Sequence, residues 1–200
     1  MKLSISHNFP DVQKALDRLH KDVATRALAS AVNKTVAQAK TQMGREITAE
    51  FNVSAAYVRQ RLRIRRAAFR QGRFGIEAAL IGGDGIKRSA NIIRFVEKKV
   101  SLAEGRRRAK AGTQKQLFVK VKRKGGTKPL EGAFIGNKGR TVFIRTGSKR
   151  LPIKPVQVID VGQMFNTRRI NAKVVSTMRS KFPEVFAREA RFYLSKWKGR

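Results

Sequence analysis

The sequence predicts an α+β domain. Three observations carry this: apolar residues at helical spacing near both ends of the chain, short apolar runs of period two between them, and glycine-rich breaks that separate those runs. Two hundred residues suffice for one core with appendages. The expected organisation is a single domain over 1–200. Residues 1–70 are helical, 71–160 form a β-rich core carrying a basic arm at about 98–128, and 161–200 are helical.

The first helix is expected from Asp11 to about Met43. Val12, Leu16, Leu19 and Val23 give its opening stripe, and Leu28, Val32, Val36, Ala39 and Met43 continue it, with Gly44 placed as a C-terminal cap. Ser54 is a candidate N-cap for a shorter helix through Tyr57, Val58 and Leu62. Strands are expected over Phe74–Ile81, Ile92–Val96, Leu117–Val121 and Val142–Ile144, joined into an antiparallel sheet. The glycines from Gly132 to Gly139 read as turn residues. The last helix carries Val175, Met178, Phe182, Phe186, Ala190, Tyr193 and Trp197, and Pro183 is expected to kink or restart it.

Charge dominates the composition. Lys and Arg number 46 against 13 Asp and Glu, a formal net charge of +33. Self-repulsion on that scale destabilises an isolated compact chain and calls for a polyanion. Between Lys98 and Lys128 there are 12 basic residues and one acid, Glu104. In Leu117-Phe118-Val119-Lys120-Val121-Lys122 the alternation gives this arm one apolar side, which is expected to pack on a neighbour. Phosphate contacts are therefore expected from Arg106, Arg107, Arg108, Lys110, Lys120, Lys122, Arg123 and Lys124, with Arg63, Arg65 and Arg66 as a second patch; the alternative is that this charge docks onto acidic surfaces of neighbouring protein subunits.

Other chemistry finds little support. His7 and His20 are the only histidines and lie too far apart for a zinc helix, and the chain has no cysteine, so no metal, cofactor or catalytic residue is expected. Asp84 with Glu97-Lys98-Lys99 formally fits a metal-dependent nuclease pattern. In a chain this rich in lysine that spacing arises by chance, and Asp84 stands in a glycine-rich turn where Asp is ordinary. No apolar run approaches the roughly 18–20 residues of a membrane span, and Met1–Pro10 lacks a signal-peptide stretch, so synthesis in the cytoplasm is expected. Phe69, Phe74, Phe95, Phe118, Phe134 and Phe143 fall in strand or helix patterns and read as core, not as stacking platforms for single-stranded nucleic acid. With no base-reading motif, contact with double-stranded DNA would be to the backbone alone, without sequence specificity. A basic ribosome- or RNA-associated protein shares the same charge.

Gly132-Ala133-Phe134-Ile135, then Gly139, Val142-Phe143-Ile144-Arg145 and Leu151-Pro152-Ile153-Lys154 resemble the central signature of the minor tail protein Z family of siphophages and prophages. Ala31-Val32-Asn33-Lys34 and Val161-Gly162-Gln163-Met164-Phe165 resemble the family's flanks, so the likeness spans most of the chain. Within the motif residues Gly132, Ala133, Phe134, Ile135, Phe143, Arg145, Leu151, Pro152 and Ile153, the stretches Gly132 to Ile135 and Leu151 to Ile153 are expected to be buried and fold-defining, since their side chains are apolar or absent. What the resemblance implies is a non-enzymatic virion protein, made in the bacterial host and completing the tail at its head-proximal end. It further implies a homo-oligomeric ring, taken as a hexamer. The partners implied are tail terminator, tail tube and head-tail connector proteins and the end of the double-stranded genome.

Overall fold

A computed structural model describes residues 2–5, 21–67, 76–83, 89–97, 107 and 117–197. Two long helices organise it: α1 (Lys21–Glu50) and α4 (Arg168–Lys196). Between them come the short helices α2 (Ala55–Arg61) and α3 (Val161–Phe165) and a set of small antiparallel sheets. The α+β class is as expected from the sequence.

Helix α1 buries Ala27, Leu28, Ala31, Val32, Val36, Ala39, Met43 and Ile47, a stripe of helical period. Against it lies α4, which buries Ile170, Val174, Met178, Phe182, Val185, Phe186 and Ala190. The two run antiparallel. Ser30 and Lys34 reach Glu189, whereas Glu46 and Glu50, further along α1, hold Lys173 and Arg169, which come earlier in α4. Helix α1 continues through Gly44 to Glu50, which corrects the expected stop at that glycine. Burial of Met43 and Ile47 on either side outweighs the cost of a helical glycine, about 1 kcal/mol. The opening residues of the expected helix, 11–20, lie outside the described residues. Pro183 does not restart α4, which is continuous over 29 residues with Phe182, Val185 and Phe186 buried around the proline.

The single expected sheet is instead four small ones. β1 (Lys2–Ile5), β3 (Ala78–Gly82) and β2 (Leu62–Arg65) make one, in the order β1-β3-β2. β4 (Ser89–Asn91) pairs with β10 (Gln157–Ile159), and β5 (Leu117–Val119) with β6 (Lys128–Leu130). β7 (Ala133–Gly136), β8 (Thr141–Arg145) and β9 (Ile153–Pro155) form the last. Ile92–Phe95 is a 3-10 turn, not the strand expected there. The Asn91 side chain accepts the Ile93 N–H at 3.1 Å and so caps the turn.

Both family-like flanks have physical roles in this frame. Ala31 and Val32 are core residues, and Asn33 takes both backbone groups of Ala67, donating to its carbonyl at 3.1 Å and accepting its N–H at 2.8 Å. Lys34 pairs with the buried Glu189 carboxylate at 2.6 Å. Val161, Met164 and Phe165 are buried, and Gln163 Oε1 accepts the Asp160 N–H at 3.1 Å. The Phe165 ring lies so close over Gly82 that a Cβ there would stand 2.7 Å from it.

Candidate nucleic-acid interface

The basic arm is rooted in the core. Leu117 and Val119 are buried, and Val121 packs against the same cluster, so the apolar side expected from the alternation faces inward. Phe118 points outward at 47% exposure, which corrects its reading as core. From Lys120 the chain crosses the C-terminal end of α1. The Lys120 N–H donates to Phe95 O, Val121 O accepts from Asn52 N, and the Arg123 N–H donates to Glu50 O, all at 2.9 Å.

Two of the predicted cations are drawn into this junction. Arg123 Nε donates to Thr48 O at 2.5 Å, and Lys122 Nζ stands 4.0 Å from Glu50 Oε1. The last turn of α1 has no basic residue of its own, and Arg123 brings one to the negative end of the helix dipole from across the fold. Arg169 and Lys173, spaced one turn apart on α4, join the same surface through Glu50 at 2.9 Å and Glu46 at 2.9 Å. The hydrogen bond to Glu50 raises the Arg169 pKa further above its already high value. Sequence reasoning missed both residues, and their i, i+4 spacing beside the buried Ile170 and Val174 was the available signal.

Lys124 is exposed at the arm's turn and Lys120 is half-buried. Arg107 is exposed, while Arg106, Arg108 and Lys110 lie outside the described residues. In the second patch Arg63 and Arg65 alternate with buried Leu62 and half-buried Ile64 along β2, an edge strand, and so face outward. Arg65 lies 3.6 Å from Glu77, and Arg66 is exposed just beyond the strand.

A third basic feature was not predicted. The Tyr57 ring is sandwiched between two guanidiniums, Arg61 at 4.0 Å and Arg94 at 3.9 Å from its centroid. Its hydroxyl donates to the buried Asp160 at 2.7 Å, and Arg61 Nε approaches the same carboxylate at 3.5 Å. Burial, then the hydrogen bond and negative charge of Asp160, push the Tyr57 pKa up to about 12. Tyr57 and Arg94 line a cleft of about 470 Å³ with Val53, Ser54, Ile93, Gly139 and Arg140. Its charged groups, Arg94 and Arg140, are cations, so the cleft suits an anion more than acid–base chemistry. Glu97, named in the nuclease pattern, is exposed and accepts the Thr127 hydroxyl at 2.9 Å, and Asp84 lies outside the described residues. Among the described residues no three His, Cys, Asp or Glu side chains cluster as a metal site, and no helix is long and apolar enough to cross a membrane.

The signature residues occupy the β7–β8–β9 sheet. Gly132 and Gly139 take positive φ, +66° and +82°, as turn glycines do. Val142 is fully buried, and Ala133 and Ile135 pack on the core from the same face. The opposite face carries Phe134, Phe143 and Ile153, all half-exposed, with Arg145 lying 4.7 Å over the Phe134 ring. Leu151 is 65% exposed and Pro152 is exposed. The expected burial of the signature is corrected: Ala133 and Ile135 are only partly buried beside Val142, and the other motif residues are half-exposed or exposed, because a strand's side chains alternate and the core covers a single side.

A model of the prophage minor tail protein Z family matches residues 11–199. The chain belongs to that family. It is a phage minor tail protein, and its place is the virion tail. No curated protein and no solved structure matches it. As a minor tail protein it belongs to a structural class and works among other tail proteins.

Proposed function

We propose that this minor tail protein completes the head-proximal end of the tail, forming a ring around the lumen and holding the end of the packaged DNA through phosphate contacts. One observation carries the reading: six of the nine acids among the described residues are engaged within the chain. Glu46, Glu50, Glu77, Asp160, Glu184 and Glu189 each hold a Lys or Arg of the same chain. The remaining positive charge is left for an external polyanion, consistent with the net +33.

A ring shares one duplex among its subunits and brings many cations to phosphates without reading bases. Arg63, Arg65, Arg66, Arg107, Lys120, Lys122, Arg123 and Lys124 are the described candidates, and Arg106, Arg108 and Lys110 complete the set. If one subunit neutralises about six phosphates, affinity falls about a thousandfold between about 50 and 200 mM salt. A ring strengthens binding further through multivalency.

Imaging of particles with and without the protein tests the role. Protein at the neck, and a DNA end that retracts from the tail in its absence, are the expected results. Particles with a normally placed DNA end in its absence would overturn the proposal.

A further inference from the structure

We infer that the outer face of the β7–β8–β9 sheet is a docking surface for a different tail or neck protein, one that presents an apolar centre rimmed by acidic side chains. The face is apolar where solvent would favour polar residues. Register places Phe134 opposite Phe143 and Phe143 opposite Pro155, with Arg145 opposite Ile153 on the same side. The two phenyl rings stack with centroids 6.0 Å apart. Gly136 keeps the strip flat, since a Cβ there would stand 3.0 Å from the Phe143 ring. Leu151, 65% exposed, stands two residues before β9 in the connection that enters the sheet. The Arg145 guanidinium lies over Phe134 on this face, and beside it Phe143, Ile153 and Pro155 leave a partly exposed apolar strip of the kind that marks an interaction site on a strongly charged surface.

Charge decides the occupant. Between Glu131 and Asp160 the chain carries Lys138, Arg140, Arg145, Lys149, Arg150 and Lys154 and no acid. Lys138 and Arg140 stand at the β7–β8 turn, and Lys149 and Arg150 at the β8–β9 connection, so cations rim the apolar strip at both ends. A second copy placed face to face would set these cations against their equals, with +33 on each chain. Approached from another side, a copy offers few acids, because most of those in the described residues already hold cations of their own chain. DNA supplies the opposite charge but no apolar surface for Phe134, Phe143 and Leu151, and its phosphates are served by cations elsewhere on the chain. An acidic-rimmed protein with an apolar centre satisfies both parts of the face. This dock does not depend on DNA contact.

The test is photocrosslinking in assembled particles, with p-benzoylphenylalanine in place of the highly exposed Leu151. The expected product joins this chain to one other particle protein, at a peptide where Asp or Glu flanks apolar residues. A product of twice the chain's own mass, a crosslink to DNA, or no crosslink from incorporated protein would overturn the inference. Phe134→Ser with Phe143→Ser gives a second readout. The expected result is a chain still folded by circular dichroism and unchanged in affinity for a short DNA duplex, but recovered from particles at about one tenth the normal amount. Normal recovery, or a parallel loss of DNA affinity, counts against the dock. If that variant fails to fold, Lys149→Glu with Arg150→Glu, on an exposed connection, is expected to show the same loss of incorporation. Normal incorporation of that pair would likewise overturn it.

Discussion

Asn91 grips Val142 by both backbone groups: its amide donates to the Val142 carbonyl at 3.1 Å and its side-chain oxygen accepts the Val142 N–H at 2.9 Å. One carboxamide thus stands in for a neighbouring strand at the centre of the signature sheet. The same Val142 carbonyl accepts the Val156 N–H, and Val156 O accepts the Ile92 N–H. Asn91 therefore adds a polar tie between the half-exposed β7–β8–β9 sheet and the rest of the fold, beside the packing of Val142, Ala133 and Ile135 on the core.

Asn91→Ala leaves the backbone groups of a fully buried residue without these partners, at a cost of about 1–3 kcal/mol. Asn91→Asp keeps the acceptor and loses the donor, so it is expected to fall between the two. Chemical denaturation of the purified chain checks the order, and equal midpoints for all three forms would mean the sheet is held otherwise.

Periodicity made α1, α2 and α4 legible, since their buried residues repeat at helical spacing and Ser54 accepts the Tyr57 N–H at the predicted cap. What escaped was whatever depends on a distant partner. The run Ile92–Val96 has strand composition, yet its turn is set by the Asn91 side chain. Alternation in Ala133–Gly136 and Thr141–Arg145 marks two faces but not whether the second is covered. Arg123 reads as a free cation in a basic run, and only folding brings it to Thr48. The cleft beside Tyr57 assembles residues from three separate stretches, so no local pattern announces it.

Gly44 is expected to be a site of gain. It sits inside α1, and a Cβ there would meet nothing within 4 Å. Gly44→Ala removes backbone freedom from the unfolded chain and fills no occupied space, for a gain of about 0.5–1 kcal/mol. Thermal melting of the variant checks this, and a lower midpoint would place an unseen contact at that surface.

Glu189 joins the two long helices as a buried carboxylate. Burial alone would raise its pKa, but hydrogen bonds from Lys34 and Ser30, with the charge of Lys34, outweigh it and hold the carboxyl below its ordinary value. A lowered folded value means that the stabilisation is present above the unfolded pKa of about 4.3 and is lost as pH falls through the folded one. Wild type should thus lose stability over that acid window, and Glu189→Gln should show a flatter profile there and a lower midpoint at neutral pH. Matching acid profiles would remove Glu189 from that role.

Tyr57 gives the opposite sign at the other end of the scale. Its folded pKa is raised to about 12, against an ordinary value of about 10. The stabilisation is full below the ordinary value and is lost as pH rises through the folded one. Tyr57 and Tyr193 are the only tyrosines, so ultraviolet titration should resolve one late tyrosinate. Asp160→Asn removes the carboxylate charge beside the hydroxyl and is expected to bring that transition to lower pH. A late step unchanged by Asp160→Asn would mean that burial alone sets it.

Charge removal on β2 separates phosphate contact from general attraction. Arg63 and Arg65 face outward from an edge strand, and Arg66 is exposed beside them. A cation on a phosphate releases about one counterion, so replacing Arg66 with Gln should reduce the salt slope of binding to a short duplex by about one, equally for unrelated sequences. Arg179, exposed on α4, supplies the comparison, because a diffuse field would lose as little or as much from either position. A drop in slope for Arg66→Gln with none for Arg179→Gln would identify a phosphate contact at the strand edge. Equal small changes at both would mean that DNA responds to net charge alone, and the second patch would lose its assignment.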